Sequence, residues 1–251
     1  MDRKTRDCGP DTGANRGRAR LGSGSGLSPR RNPSRWKGLL ENLLPNKSKV
    51  RRVEHRAALP YSELPAFMAE LRLLEGVAPR ALEFLILNAS RTGEAIGARW
   101  SEIDMHRRLW TVPASRIKSG REHRVPLSEP AMAILETLSE TRESAFVFPG
   151  QRGGRPLSSN TLLLVLRRLG RGNVTVHGFR SSFRTWAAEQ TDFPREIAEA
   201  ALAHVVGDRV EFAYQRSDFF QKRRLLAEAW AQFCLTPAPA GDVLPLRRRV
   251  G

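Results

Sequence analysis

One apolar segment constrains the fold of this chain more than any other part of its sequence. Residues 78–89 have the sequence APRALEFLILNA, in which nine of the twelve side chains are apolar. A helix that is apolar on all sides has to be buried within a domain. The segment is also well short of the ~20 apolar residues that a membrane-spanning helix needs. The sequence therefore predicts a core helix and no membrane partner.

Hydrophobic periodicity predicts a mainly helical α+β domain around this core helix. Further helices are predicted at 62–74 (capped by Ser62), 129–138, 158–169, 178–190, 194–203 and 219–234. Short strands are predicted at 109–113, 123–127 and 146–148, with a further strand-like stretch at 173–176. Because the strands are short and separated by turn signals, we expect them to form a small antiparallel sheet.

The two ends of the chain carry a different pattern from the periodic region at 57–234. Residues 1–33 are rich in Gly, Ser, Pro and Arg and lack periodicity, which predicts a disordered basic tail. Residues 34–56 predict a short helix followed by a basic linker. Residues 235–251 are Pro-rich and predict a disordered C-terminal tail, which could dock on another subunit or be loose.

The chain is strongly basic, with 42 Lys and Arg residues, 26 Asp and Glu residues and a net charge of +16. Residues 1–60 hold 15 of those cations and 5 of those anions, so +10 of the excess lies near the N-terminus. That segment could grip DNA phosphates or remain solvated. A positive field of this size favours a polyanionic partner such as DNA. The two cysteines, Cys8 and Cys234, predict neither a disulfide framework nor a zinc site.

Several common catalytic motifs are missing from the sequence. It contains no phosphate-binding G-x-x-x-x-G-K, no G-x-G-x-x-G after a strand, no G-x-S-x-G and no H-E-x-x-H. No acidic cluster resembles a two-metal nuclease site. A basic protein can still act on phosphodiesters without a metal if it supplies a nucleophile, fixed cations and a proton donor.

His177 and Arg180 begin the helix predicted at 178–190. Positions three apart share a helix face, so both side chains can face one anion, and the helix N-terminus adds free N–H groups. Arginine suits a phosphate because its planar fork meets two oxygens. The alternative is an ordinary solvated helix face.

Arg91 follows the apolar core helix and precedes a short helical pattern at 94–99. A charge at the edge of a buried helix is costly unless something pairs with it. Glu94, three residues further on, is one candidate partner, and a phosphate is the other.

Lys118 and Tyr214 are the candidate proton donor and nucleophile. Residues 61–251 contain only two lysines, and Lys118 lies beside Gly120 in the turn between the first two predicted strands. Lysine can release a proton where arginine cannot, although an exposed turn lysine is the alternative. Tyr214 lies ten residues after His204. It would need nearby positive charge to act as a nucleophile, and half-buried packing is its alternative.

The order of these candidates along the chain carries more weight than any one of them. They stand in the motifs SRTGEAIGARWSEID (Arg91), RIKSGREHRVPLS (Lys118), VHGFRSSFRTWAAE (His177 and Arg180) and ALAHVVGDRVEFAY (His204 and Tyr214). The run AYQRSDFFQKRRLLAEAW begins just before the tyrosine. Over residues 34–234 the chain resembles the tyrosine recombinases, specifically the phage-type integrases of prophages and genomic islands.

This resemblance implies covalent chemistry at a DNA phosphate. Tyr214 would attack the scissile phosphate to form a 3′-phosphotyrosyl link, and Lys118 would protonate the departing 5′-oxygen. His177 would assist proton transfer as a general base. No metal, ATP or other cofactor is implied, because the phosphotyrosyl bond keeps the phosphodiester energy for strand exchange.

The resemblance also implies how the phosphate is held. Arg91 and Arg180 would bind its non-bridging oxygens and stabilise the transition state. His204 would donate a hydrogen bond to the same phosphate. Glu94 would orient a neighbouring residue.

The implied partners are double-stranded DNA attachment sites and three further copies of the chain, which together would form a homo-tetramer in the cytoplasm at the bacterial nucleoid. Residues 34–44 resemble only the end of a core-binding domain, so we expect a truncated chain with weak DNA binding and poor recombination. Two alternatives stay open. One is a DNA-binding remnant without catalysis, and the other is a nicking and closing enzyme similar to type IB topoisomerases.

Overall fold

The computed structural model describes residues 57–117, 119–151, 154–204 and 218–236, all within one unit at 56–251. The predicted tail at 1–33 and the predicted helix and linker at 34–56 lie outside the described residues. So do Lys118, Tyr214 and all but the first two residues of the predicted C-terminal tail.

The described residues form a mainly helical α+β fold. Its helices are α1 (Leu64–Arg72), α2 (Val77–Leu87), α3 (Thr92–Ile96), α4 (Glu129–Glu140), α5 (Ser159–Arg168), α6 (Gly178–Gln190), α7 (Arg195–Ala201) and α8 (Phe220–Leu235). Single 3₁₀ turns lie at Tyr61–Glu63, Trp100–Glu102 and Ala114–Arg116. None of the helices described is long and apolar enough to cross a membrane.

A three-stranded antiparallel sheet follows α3. Its strands are β1 (Ile103–Asp104), β2 (Leu109–Val112) and β3 (His123–Pro126), in the order β1-β2-β3. Trp110 of β2 pairs with Val125 of β3. The predictions at 109–113 and 123–127 are thereby confirmed to within one residue.

The third predicted strand, at 146–148, is wrong. Phe146 makes only an isolated bridge to Arg99, and the third strand of the sheet is the two-residue β1. Two residues are too few to show the alternation by which a strand is predicted. The strand-like stretch at 173–176 is an irregular loop with turn and bend residues. Val174 and Val176 are buried, but they lie in a loop and not in a strand.

The helix predictions differ from the structure mainly at their ends. Residues 178–190 form α6 with the predicted bounds. Ser62 is not a cap, because it lies inside the 3₁₀ turn that precedes α1. Ser158 does cap α5, since its hydroxyl accepts a hydrogen bond from the Asn160 N–H at 3.3 Å.

Helix α2 lies in the core, as its composition predicts. Eight of its eleven residues are buried, and the Phe84 ring lies 5.4 Å from the Trp110 ring of β2. Trp230 of α8 donates its indole N–H to the Ile86 carbonyl at 2.8 Å, deep in the core. Helix α2 is therefore held on both sides, which fixes the position of the loop that follows it.

Candidate active site

Arg180 is the central residue of the candidate site. It lies in the first turn of α6 and is only 4% exposed. One terminal nitrogen, Nη1, donates to the Ala89 carbonyl, and the other, Nη2, donates to the Leu202 carbonyl, both at 2.6 Å. Within the described part of the chain, its Nε–H has no hydrogen-bond partner.

The two carbonyls that bind Arg180 belong to the turns after α2 and α7. Each turn contains an alanine with a left-handed backbone, Ala89 at φ 45° and Ala203 at φ 50°. That conformation is unfavourable for a residue with a Cβ atom and persists where surrounding contacts enforce it. Each left-handed alanine is followed within two residues by a predicted site residue, Arg91 or His204.

Arg91 precedes α3 and is paired with Glu94. Its backbone N–H donates to Glu94 Oε2 at 2.9 Å, and its Nη1 lies 2.7 Å from Oε1. The carboxylate is buried, whereas the guanidinium remains partly exposed. Glu94 thus orients Arg91 at the start of the helix, and part of the arginine stays accessible.

Arg91 and Arg180 lie close enough for their charges to interact. Burial, and to a smaller extent the positive charge of Arg91, lower the pKa of Arg180 to about 10, although Glu94 and Glu199 partly oppose this effect. Two neighbouring guanidinium groups repel each other unless an anion lies between them or beside them. Glu94 and Glu199 offset only part of this repulsion, and an anion bound beside both arginines would offset more of it.

His204 joins Arg180 through its imidazole ring. Its Nε2 lies 3.1 Å from Arg180 Nη2, and its Nδ1 lies 2.7 Å from Glu199 Oε2. The other oxygen, Glu199 Oε1, accepts a hydrogen bond from Arg184 Nε at 2.7 Å. Burial alone would raise the pKa of Glu199, but the hydrogen bonds from His204 and Arg184 outweigh it and lower that pKa.

His177 lies one turn before Arg180, at the N-terminal end of α6. Its backbone carbonyl accepts a hydrogen bond from the Arg180 N–H at 3.2 Å, and its side chain is exposed. The next residue has to be glycine, because a Cβ atom on Gly178 would lie 2.5 Å from the Ala57 carbonyl oxygen. This close approach fixes the helix end that carries His177 and Arg180.

The predicted proton donor, Lys118, and the predicted nucleophile, Tyr214, lie outside the described residues, whereas residues near them in the sequence are described. Lys118 follows the buried Ile117, whose carbonyl accepts from the Gly120 N–H at 2.9 Å across the turn. Gly120 has φ +68°, which glycine adopts without strain. Tyr214 lies between the described residues His204 and Asp218.

Four residues of this region were not identified from the sequence: Arg184, Glu199, His123 and Arg223. The imidazole of His123, at the start of β3, lies 3.2 Å from the Ala201 carbonyl through Nε2. Burial, and to a smaller extent the charge of Arg223, lower its pKa to about 4. Glu199 lies five residues before His204, and this spacing is the one sequence signal that could have linked Glu199 or its partner Arg184 to the site.

Arg223 of α8 connects Asp218, four residues after Tyr214, to strand β3 of the sheet. It is 2% exposed. Its Nε donates to the Asp218 carbonyl at 2.7 Å and its Nη2 to Asp218 Oδ2 at 3.1 Å. Its Nη1 donates to the carbonyl of Arg124 in β3 at 2.5 Å.

Residues 59–219 match the phage integrase family, and the chain belongs to that family. This confirms the resemblance found in the motifs. The chain is 40% identical to prophage integrase IntA of Escherichia coli strain K12, over 72% of this chain and 45% of IntA. It is 36% identical to prophage integrase IntZ of the same strain, over 79% of this chain and 50% of IntZ. The chain thus spans about half the length of the curated relatives it matches.

A solved structure shares the fold. The integrase from mycobacterium phage Brujita aligns with a TM-score of 0.53 and 19% sequence identity, over 71% of this chain and 59% of that chain. The predicted fold class, a tyrosine-recombinase catalytic domain with a small antiparallel sheet, is confirmed.

Proposed function

We propose that the protein is a site-specific DNA recombinase of a prophage or genomic island, which cleaves and rejoins DNA through a 3′-phosphotyrosyl intermediate. The observation that carries the proposal is that the charges of Arg91 and Arg180 interact and that His204 contacts Arg180. The relatives named as prophage integrases support the same reaction class.

The arginines would bind the scissile phosphate. Arg180 is held by two carbonyls and retains N–H groups that those carbonyls do not use. Arg91 is oriented by Glu94 and partly accessible. Since both are fixed before DNA binds, they would stabilise the charge of the pentacoordinate transition state with little reorganisation.

The covalent step would involve Tyr214, Lys118 and His177. The phenolic oxygen of Tyr214 would form a bond to phosphorus, and the bond from phosphorus to the 5′-oxygen would break. The phenolic proton would pass to His177, acting as general base, and Lys118 would give a proton to the departing oxygen. Attack by the 5′-hydroxyl of a second strand would reverse these transfers and release the tyrosine.

His204 would contact the same phosphate. In the structure its Nε2 faces Arg180, so a phosphate held by Arg180 comes within reach of the ring. The ring can donate from Nε2 when both nitrogens carry a proton.

The substrates and partners follow from this chemistry. The proposed substrate is a pair of double-stranded DNA attachment sites, and a homo-tetramer would hold two of them for exchange. A protein acting on a bacterial chromosome would work in the cytoplasm at the nucleoid. The net charge of +16 supports a DNA partner.

A nicked suicide duplex tests the proposal, because loss of the short 5′-hydroxyl strand traps the covalent intermediate. The chain has only two tyrosines, Tyr61 and Tyr214, which supply a matched pair of variants. We expect a denaturant-stable protein–DNA adduct with the unaltered chain and with Tyr61→Phe, and none with Tyr214→Phe. Binding without any adduct would instead identify a non-catalytic DNA-binding protein, and relaxation of supercoiled DNA by a monomer would identify a topoisomerase-like enzyme.

A further inference from the structure

The hydrogen bonds of His204 determine which of its nitrogens carries the proton. The guanidinium of Arg180 has only donors, so His204 Nε2, at 3.1 Å from it, has to accept. The carboxylate of Glu199 has only acceptors when ionised, and its pKa is lowered, so Nδ1 at 2.7 Å has to donate. Two partners on opposite sides of the ring therefore require the same neutral form, with the proton on Nδ1.

Glu199 is itself fixed in place. It is 6% exposed, although it lies on the short helix α7. Arg184 of α6 donates to its Oε1 at 2.7 Å, and Arg195 lies 3.6 Å from the same oxygen. Its Oε2 is left for the imidazole of His204.

These contacts form one continuous chain of hydrogen bonds from the surface to the central arginine. It runs from Arg184 to Glu199, then to His204 and finally to Arg180. Among the described residues no hydrogen bond joins Glu199 directly to Arg180, so the hydrogen-bonded route between them passes through the imidazole, although the charge of Glu199 also acts on the guanidinium. A carboxylate that fixes a histidine ring in this way sets its orientation and determines which of its nitrogens carries the proton.

We propose that Glu199 is a positioning residue of the DNA-cleaving site, which acts through His204 on Arg180. By holding a proton of His204 on Nδ1, it keeps Nε2 available as the acceptor for the arginine in the DNA-free protein, and a second proton, taken up on Nε2, would let the same ring donate to the phosphate. The inference rests on the proposed function, because Arg180 is the residue proposed to bind the scissile phosphate.

The first test measures the tautomer without DNA and thus independently of activity. The chain has five histidines, so ¹⁵N-labelled histidine gives a spectrum simple enough to assign. We expect neutral His204 to carry its proton on Nδ1 in the unaltered chain and in Glu196→Ala, a control on the same helix. In Glu199→Ala the ring is no longer held in its orientation against Arg180, so we expect the proton to be shared between the two nitrogens, whereas Glu199→Gln, which keeps an acceptor oxygen of similar size, should restore the Nδ1 form. The proposal would be overturned if the unaltered chain carried the proton on Nε2. It would also be overturned if the spectrum of Glu199→Ala were the same as that of the unaltered chain.

The second test measures the rate of the covalent adduct on the nicked duplex. We expect Glu199→Ala to slow it about 10- to 100-fold, the range typical for a residue that orients a functional histidine. Because the effect passes through the ring, Glu199→Ala should change the rate less than about 2-fold when His204→Ala is already present. Independent, multiplying effects of the two substitutions would contradict the inference. An unaltered chain that forms no adduct would refute the proposed function and leave the tautomer result standing.

Discussion

At the scale of single residues, His123 makes the stability of the protein depend on pH. Its pKa is about 4 in the folded state, because burial and the charge of Arg223 disfavour the imidazolium. In the unfolded chain its pKa returns to about 6.5. The unfolded state therefore binds the extra proton below pH 6.5, and folding stability falls as the pH drops from there towards 4.

We expect this histidine to lower the free energy of unfolding by about 2 kcal/mol between pH 7 and pH 4.5. His123→Gln can keep a donor to the Ala201 carbonyl without titrating in this range. Denaturant unfolding of both proteins at the two pH values measures the difference. Equal losses in the two proteins would show that other groups account for the acid sensitivity.

The left-handed backbone of Ala203 gives a second prediction at this scale. Glycine adopts a φ of 50° without the steric cost that alanine bears, although it also makes the unfolded chain more flexible. We expect Ala203→Gly to raise the free energy of unfolding by about 0.5 kcal/mol. Ala229→Gly, inside α8, is the opposite control and should lower it by about 1 kcal/mol. A loss at position 203 as large as that at 229 would count against strain in the turn.

The site residues that the sequence predicts are those whose motifs are local. Arg91 and Glu94 are three residues apart, as are His177 and Arg180, and one helical turn relates each pair. His123 could not be found in this way, because its partner Ala201 is 78 residues away. The burial that lowers its pKa comes from tertiary packing, which no short segment of sequence encodes.

At the scale of elements, Arg223 and Asp218 connect α8 to β3. The side chain of Arg223 is buried and all three of its nitrogens are hydrogen-bonded. Removing it leaves the carbonyls of Asp218 and Arg124 without this donor. These hydrogen bonds fix the position of Asp218, which lies four residues after Tyr214.

We expect Arg223→Ala to lower the free energy of unfolding by about 2–4 kcal/mol, because two backbone carbonyls lose their donor and a buried side chain is removed. Lys222→Ala, at the exposed neighbouring position, should change it by less than about 0.5 kcal/mol. Urea unfolding at pH 7 measures both. A loss below 1 kcal/mol for Arg223→Ala would mean that the carbonyls find other donors.

The elements themselves follow from the sequence where periodicity is long. Helix α6 has thirteen residues and begins and ends as predicted. Strand β1 has two residues, and its pairing with β2 depends on the turn between them rather than on its own pattern. The stretch at 146–148 is as apolar as a strand, yet it makes only one isolated bridge, from Phe146 to Arg99, because apolar composition reports burial and not sheet pairing.

At the scale of the whole molecule, the net charge of +16 predicts DNA binding that depends steeply on salt. Contacts with about five phosphates would reduce the affinity for a random duplex about 10²- to 10³-fold between ~50 and ~200 mM salt. Fluorescence anisotropy with a labelled duplex measures this slope. A salt-independent affinity would contradict an electrostatic interface.

The contacts of Arg180 also determine how a variant at this position should be interpreted. Its guanidinium cross-links two turns that are far apart in the sequence, by donating to Ala89 on one side and Leu202 on the other. Lysine would preserve the charge, but its single nitrogen lacks the planar fork that bridges both oxygens. Inactivity of an Arg180→Lys protein would therefore not isolate the loss of phosphate contacts, because the spacing between the turns that precede Arg91 and His204 would change as well, even though the charge remained.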